Sequence, residues 1–256
     1  VDRSIEIPYN FLYYNLNLNL KLIDFLAKLQ KKISFFYLHF SSDEVYGDYK
    51  DKVFEETDKI EPSSPYSASK AGVDIILNAY QRTFDFKYLI VRPCNQFGSF
   101  QFPEKLIPTI INSIMAKKKI PIYGTGENIR EWMDVDVLSQ ILIKIISKKK
   151  LLNSSSIINL GSNIRCSNIS LVKKIISNYN KVSKDRCDLK NIQFVKDRPG
   201  HDKRYSLNSL KLKKLNIQNF YNFEHSLKKT ISWYVSNKNW IKYTRQKYKG
   251  KRQGLI

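Results

Sequence analysis

The chain has 256 residues, 42% of them hydrophobic and 13% aromatic, which allows a sizeable core and excludes a disordered protein. A formal charge of +21 is spread along the chain, apart from short runs at Lys117–Lys119 and Lys148–Lys150 and a tail from Lys242 to Arg252, and so reads as a basic surface with no nucleic-acid partner. Three cysteines (94, 166, 187) and three histidines (39, 201, 225) lack disulfide or metal-ligand spacing, and no apolar run reaches a membrane span; the expectation is a soluble cytoplasmic protein with no metal.

The sequence begins at Val1-Asp2-Arg3-Ser4 with no Met before it, and reads as lacking an amino-terminal part. From Tyr9 to Lys32, after Pro8, the pattern predicts a helix with Phe11, Leu12, Leu22, Phe25 and Leu26 toward the core, although Asn15, Asn17 and Asn19 are poor helix formers. Ile33–Phe40 reads as a buried strand. Ser41-Ser42-Asp43-Glu44 follows at its carboxyl end, where open parallel sheets place their sites; the same residues are also ordinary in a hydrated turn. A polar loop from Gly47 to Ser64 leads into a helix from Pro65 to about Phe84, with Ser63 or Ser64 as cap and Pro65 in its first turn. Tyr66 and Lys70 then lie one turn apart on one face. A neighbouring ammonium lowers a phenol's pKa, so the pair makes a workable proton-transfer device, while the bare spacing equally describes a solvated helix face.

Lys87–Val91 is the next strand, and strand, helix and strand in that order predict a parallel crossover and an α/β sheet. Beyond Arg92-Pro93-Cys94-Asn95 the pattern predicts a loop at Asn95–Gly98, a helix over Pro103–Lys118, a short strand at Ile120–Gly124, a strand around Glu131–Val135 and a helix over Asp136–Lys148. Ser156–Gly161 reads as a strand returning to the sheet. A helix over Ser167–Tyr179, a strand at Ile192–Val195 and helices near Leu207–Leu215 and Phe223–Ser236 complete the chain. The glycine-rich turn that would approach a dinucleotide pyrophosphate is absent before Ser41, and Gly124-Thr125-Gly126 lacks the helix that should follow it.

The stretch Ser41-Ser42-Asp43-Glu44-Val45-Tyr46-Gly47, followed by Ser64-Pro65-Tyr66-Ser67-Ala68-Ser69-Lys70, resembles the extended short-chain dehydrogenase/reductase superfamily. Within it the Asp-Glu-Val-Tyr-Gly form is similar to that of dTDP-glucose 4,6-dehydratases. So are Phe102-Pro103-Glu104-Lys105-Leu106-Ile107-Pro108, Ile129-Arg130-Glu131-Trp132 and Asp197-Arg198-Pro199-Gly200-His201-Asp202, and the resemblance runs in register from Val1 to about Trp240. It implies an α/β fold: a partial Rossmann-like parallel sheet with helices on both faces over residues 1–95, and over 96–256 a smaller interleaved carboxyl-terminal region that binds the nucleotide-sugar.

The activity implied is NAD-dependent dehydration of dTDP-glucose to its 4-keto-6-deoxy product. Tyr66, supported by Lys70, would take the proton of the C4 hydroxyl, Glu44 the proton at C5, and Asp43 would protonate the departing C6 hydroxyl. Ser42, where the family commonly has Thr, would bond the C4 oxygen. Matching positions for the nucleotide-sugar are Asn95, Lys105, Leu106, Tyr123, Arg130, Asn159, Arg198 and His201, with Gln96, Tyr66 and Lys70 on the nicotinamide side. Arg130 and Arg198 suit a diphosphate because a planar guanidinium can make paired bonds to phosphate oxygens. A homodimer through the helices flanking Tyr66 is also implied.

Departures from the family are Leu18-Asn19 in place of Gly-Thr, Phe97 in place of Tyr and Val137 in place of an acid. Relative to the family, two to three strand-helix units, roughly 80 residues, would precede Val1, so little activity is expected of the chain alone. Two further readings stay open: a catalytically silent nucleotide-sugar binder, and an epimerase or decarboxylase of the same superfamily. The second would keep Tyr66 and Lys70 but has no use for a paired acid and base.

Overall fold

Pro8 has no amide hydrogen to lose and opens a long helix, α2 (Pro8–Gln30), directly after the short α1 (Asp2–Glu6). The computed structural model describes residues 1–148, 151, 155–217 and 221–247; the basic tail beyond 247 and Lys149 and Lys150 lie outside them. The asparagines expected to weaken α2 are accommodated by back-bonding, since Asn19 Nδ2 donates to the Asn15 carbonyl at 2.7 Å. The core face differs from the expectation. Ile23 and Ala27 are buried with Leu16 and Leu26 beside them, whereas Leu22 and Phe25 face outward, 45% and 60% exposed. With Tyr9, Tyr13, Tyr14 and Leu18 also exposed, the helix is apolar nearly all round, and spacing alone could not select the buried stripe.

The first strand, β1 (Tyr37–Phe40), starts four residues later than expected. The preceding residues wrap the end of α2, where Gln30 Nε2 donates to the carbonyls of Phe35 and Lys87 at 3.2 and 3.1 Å. A 3-10 turn (Asp43–Tyr46) follows, then α3 (Pro65–Phe84). Ser64, not Ser63, caps α3 in a reciprocal box with Ser67, and Asp85 in left-handed conformation ends it. The buried strand β2 (Tyr88–Pro93), apolar up to Arg92, lies between β1 and β6 (Ser156–Leu160), all parallel. Alternation along β2 sends Ile90 toward α2 and α3 and Leu89 and Val91 toward the opposite core. Leu138, Ile141 and Ile145 of α5 (Val135–Ile146) and Leu212 of α7 (Leu210–Lys214) fill that second face. The fold is therefore α/β, with helices on both faces of a parallel sheet.

A second group of strands frames the opposite wall of the site. β3 (Asn95–Phe97), expected as loop, runs parallel to β5 (Ile129–Asp134), which pairs antiparallel with β7 (Arg165–Ser167). β4 (Ile120–Tyr123) pairs parallel with β8 (Ile192–Val195). These strands are covered by α4 (Leu106–Met115), α6 (Asn168–Val182) and α8 (Phe223–Ser236). Their shared core holds Ile107, Ile111, Leu171, Ile175, Leu227 and Ile231, each stabilising by roughly 1.5–3 kcal/mol on burial. A last helix, α9 (Lys238–Lys247), had no counterpart in the sequence reading. Because β6 leaves this second group and returns to the first sheet, the two parts interleave.

Candidate active site

The carboxyl end of β1 delivers Ser41 to Glu44 into the interior. Ser41 N donates to the Val91 carbonyl at 2.9 Å. Ser42 then caps the 3-10 turn, accepting from Glu44 N at 3.3 Å and donating to Asp43 Oδ1 at 3.2 Å. The turn closes on Gly47, whose φ of +82° and lack of a Cβ are both required: an added Cβ would stand 2.2 Å from the Glu61 carbonyl oxygen.

Asp43 is 4% exposed, and its Oδ2 and Glu44 Oε2 are buried without a hydrogen-bond partner. Burial pushes the Asp43 pKa well up, the charges of Glu44 and Glu131 add to the lift, and Arg130 and Ser42 oppose it. Burial also raises Glu44, with Asp202 adding to the lift and Arg198 and Arg130 opposing it. The Tyr66 phenol belongs to the same cluster: Glu44 and Asp43 act on its charge, and Ser42 bonds to it. Ser42, Asp43, Glu44 and Tyr66 therefore converge.

One expectation is corrected. Tyr66 is shifted up, not down, first by burial and then by Glu44 and Asp43. Lys70 directs its ammonium to the Phe40 carbonyl at 2.9 Å, and burial lowers its own pKa. In this state the phenol is neutral near pH 7.

The opposite wall is cationic. Arg130 donates to the carbonyls of Ile129 and Asp202, both at 2.8 Å, and stacks 4.4 Å over the Tyr205 ring. Arg198 pairs with Asp2 of α1, leaving its buried Nε without a partner. His201 Nδ1 lies 2.7 Å from Asp197 Oδ1, and its ring meets that of Tyr123 edge-on at 6.1 Å. Burial lowers the His201 pKa, with Arg198 and Arg130 adding to the effect, so the imidazole stays neutral near pH 7. Lys105 stands exposed at the head of α4, beside Leu106, its ammonium 3.7 Å from Glu104 Oε1. Asn95 Oδ1 and Gln96 Oε1 on β3 are buried without partners.

Asn159 is the candidate that the structure does not bring to this site. It is wholly buried, its Oδ1 accepting from the Tyr46 hydroxyl at 2.8 Å and its Nδ2 donating to the Phe54 carbonyl at 3.0 Å, so both ends of the amide serve the fold. Sequence reasoning passed over four residues. Asp2 holds Arg198; Asp202 accepts from Ser63 Oγ at 2.7 Å and from Tyr205; Glu131 binds the amides of Asn163 and Leu207 and Arg165 Nε; Tyr205 backs Arg130. Asp2, Glu131 and Asp202 lie inside the motif stretches quoted above, while Tyr205 carried no local signal.

Among the described residues no cluster of His, Cys, Asp and Glu could hold a metal ion, and no helix is long and apolar enough to cross a membrane. The sequence matches the family described as GDP-mannose 4,6 dehydratase over residues 1–230. A probable dTDP-glucose 4,6-dehydratase of Sinorhizobium fredii is 38% identical over 268 residues, spanning 100% of this chain and 75% of that protein. A dTDP-glucose 4,6-dehydratase of Escherichia coli is 36% identical, spanning 100% and 76%. The crystal structure of DesIV, a dTDP-glucose 4,6-dehydratase from Streptomyces venezuelae solved with NAD bound, superposes with a TM-score of 0.85 at 31% identity, covering 94% of this chain and 71% of that one. By a family match across most of its length and by relatives over a third identical across this chain, which spans about three quarters of their length, this chain belongs to the nucleotide-sugar 4,6-dehydratase family, of Rossmann-like fold, together with the dTDP-glucose 4,6-dehydratases.

Proposed function

We propose that the chain carries the acid-base centre and the nucleotide-sugar wall of an NAD-dependent dTDP-glucose 4,6-dehydratase. The observation that carries this reading is the convergence of Ser42, Asp43, Glu44 and Tyr66 in one buried cluster faced by Arg130 and Arg198. Adjacent carboxyls can divide acid and base roles when their surroundings push their pKa values apart. Asp43, enclosed and beside two other acids, holds its proton and is suited to protonate the departing C6 hydroxyl. Glu44, offset by two guanidiniums, ionises first and is suited to take the C5 proton. Tyr66 stands to receive the C4 hydroxyl proton, with Ser42 bonding the C4 oxygen. For this Tyr66 must be deprotonated, which requires the Lys70 ammonium to turn from the Phe40 carbonyl toward the phenol.

The fit to NAD is local. Tyr66, Lys70 and the unpartnered Gln96 Oε1 suit the nicotinamide end, whereas a glycine-rich turn for the pyrophosphate does not occur among the described residues. NAD, when bound, supplies a hydride acceptor at C4 and a hydride donor at C6. Arg130 and Arg198 would hold the diphosphate, with Tyr123, His201, Asn95, Lys105 and Leu106 around the remainder. We further assign residues 1–95 mainly to the cofactor side and 96–256 mainly to the sugar side, a homodimer through the exposed apolar faces of α2 and α3 (Leu18, Phe25, Ile75), and, from three free cysteines, a cytoplasmic setting.

The Asp43-Glu44 pair favours dehydration over epimerisation, which needs neither a leaving-group acid nor a C5 base. The second reading is a silent nucleotide-sugar binder. Titrating the protein, with the amino-terminal part that its relatives carry restored, calorimetrically with dTDP-glucose and with NAD, then following loss of water from the sugar by mass spectrometry, separates them. Binding of both ligands with dehydration abolished by Tyr66→Phe is the expected result. Sugar binding without NAD binding leaves the silent binder, and turnover indifferent to Tyr66→Phe refutes the assignment of the phenol.

A further inference from the structure

Directly behind the acid turn lies a buried polar assembly that none of the proton transfers uses. Its centre is Arg92 on β2, 1% exposed. Arg92 Nε and Nη2 hold Asp74 Oδ2 at 3.0 and 2.9 Å. Its Nη1 donates to the Tyr46 hydroxyl at 2.7 Å, and its guanidinium lies 4.7 Å from the centre of the Tyr46 ring. The Tyr46 hydroxyl in turn donates to Asn159 Oδ1, and Ser41 Oγ donates to Asp74 Oδ2 at 3.0 Å. Asp74 sits on α3, one turn beyond Lys70 and two beyond Tyr66; Tyr46 is the last residue of the turn that bears Asp43 and Glu44.

We propose that Arg92 is a positioning residue for the acid-base set: one guanidinium joins the helix carrying Tyr66 and Lys70 to the turn carrying Asp43 and Glu44, and so fixes the phenol against the two carboxyls. Stability alone does not account for the arrangement, since a buried ion pair is often no better for folding than apolar side chains of the same volume. What three bonds to two partners in fixed directions require is a planar fork, which an ammonium cannot replace. The part played in turnover rests on the function proposed above, whereas the mechanical link does not.

The test reads Asp43 itself, by NMR of the full chain carrying carboxyl-labelled aspartate, its resonance identified by its loss in Asp43→Asn. The charged groups facing Asp43 are Glu44 on its own turn and Glu131 and Arg130 from β5; those facing Asp74 are Lys70, Arg92 and His39, the last held neutral near pH 7 by a pKa lowered to about 4 through burial. Tyr46→Phe keeps the ring stacked 4.9 Å from Phe54 and keeps the Arg92–Asp74 pair, removing the hydroxyl through which Arg92 holds the turn together with its bond to Asn159 Oδ1. Arg92→Lys keeps the charge and loses the fork. Each variant is expected to admit water to the turn and weaken proton binding at Asp43 by about tenfold, one pKa unit. Loss of positive charge would act in the opposite direction. Ile175→Val, in the distant third core, controls for general destabilisation and should leave the Asp43 titration in place. If Tyr46→Phe folds and its Asp43 titrates as in the parent chain, or if Ile175→Val moves the midpoint as far, the proposal falls; should Arg92→Lys fail to fold, Tyr46→Phe decides alone. Neither NAD nor sugar is needed, so this outcome is independent of the catalytic reading.

Discussion

Asp43→Asn should make the protein more stable at neutral pH while removing the proposed acid. The replacement has the same shape and can still accept from Ser42 Oγ, 3.2 Å away, so the main change is the loss of an ionisable group from an enclosed site. Because burial raises the folded pKa of Asp43 above its ordinary value of 3.8, the native state binds a proton that the unfolded chain has already released. Stability contributed by this group is present in full below the unfolded pKa and is lost as pH climbs through the folded one. Each unit of lift corresponds to about 1.4 kcal/mol. The gain from Asp43→Asn should therefore be near zero at about pH 4 and reach at least about 1.4 kcal/mol at about pH 8 for a one-unit lift. With a urea dependence of about 3 kcal/mol per molar, that moves the denaturation midpoint upward by about 0.5 M. Urea melts of parent and variant across this pH range check it. A gain that does not change with pH, or a variant less stable than the parent at pH 8, would show that ionisation of Asp43 is not what the fold opposes.

Two glycines give a contrast. At Gly47 a methyl group would meet the Glu61 carbonyl oxygen at 2.2 Å, whereas at Gly200 the nearest atom, the Ser63 carbonyl oxygen, is 3.4 Å away, although both have positive φ. Gly47→Ala should cost well over 2 kcal/mol and Gly200→Ala about 1 kcal/mol, the ordinary strain of a left-handed alanine, as compared by thermal melts. On the surface, Leu18→Glu with Phe25→Glu alters residues 62% and 60% exposed. The double variant should keep the circular dichroism spectrum of the parent and sediment as a monomer where the parent sediments as a dimer; a parent already monomeric would dismiss the proposed interface.

The parts of the fold that could be read from sequence were those governed by neighbours in the chain. Ser64, Pro65 and Ser67 together announce the start of α3, and strand, helix and strand from β1 to β2 follow from local periodicity. What escaped was decided at a distance. Ile33–Phe36 are apolar enough for a strand but lie where Gln30 grips the chain from the end of α2. The three-residue strands β3 and β7 exist only because β5 lies between them. In the site, the acid turn and the Tyr66-Lys70 pair were legible as motifs. The direction of the Tyr66 shift was not, because it depends on where Lys70 points and on carboxyls from another element. Asn159 matched a nucleotide-sugar position, but Tyr46 and Phe54, far from it in the chain, occupy both ends of its amide.

In the sheet β1-β2-β6, β1 pairs with β2 along one side only. As in any parallel pair, part of the backbone of Tyr37–Phe40 directs its amides and carbonyls away from that neighbour, and Phe40 beside them is 41% exposed. A strand laid along that border would continue the hydrogen-bond ladder of β1, so the sheet has room to extend on the side away from β2.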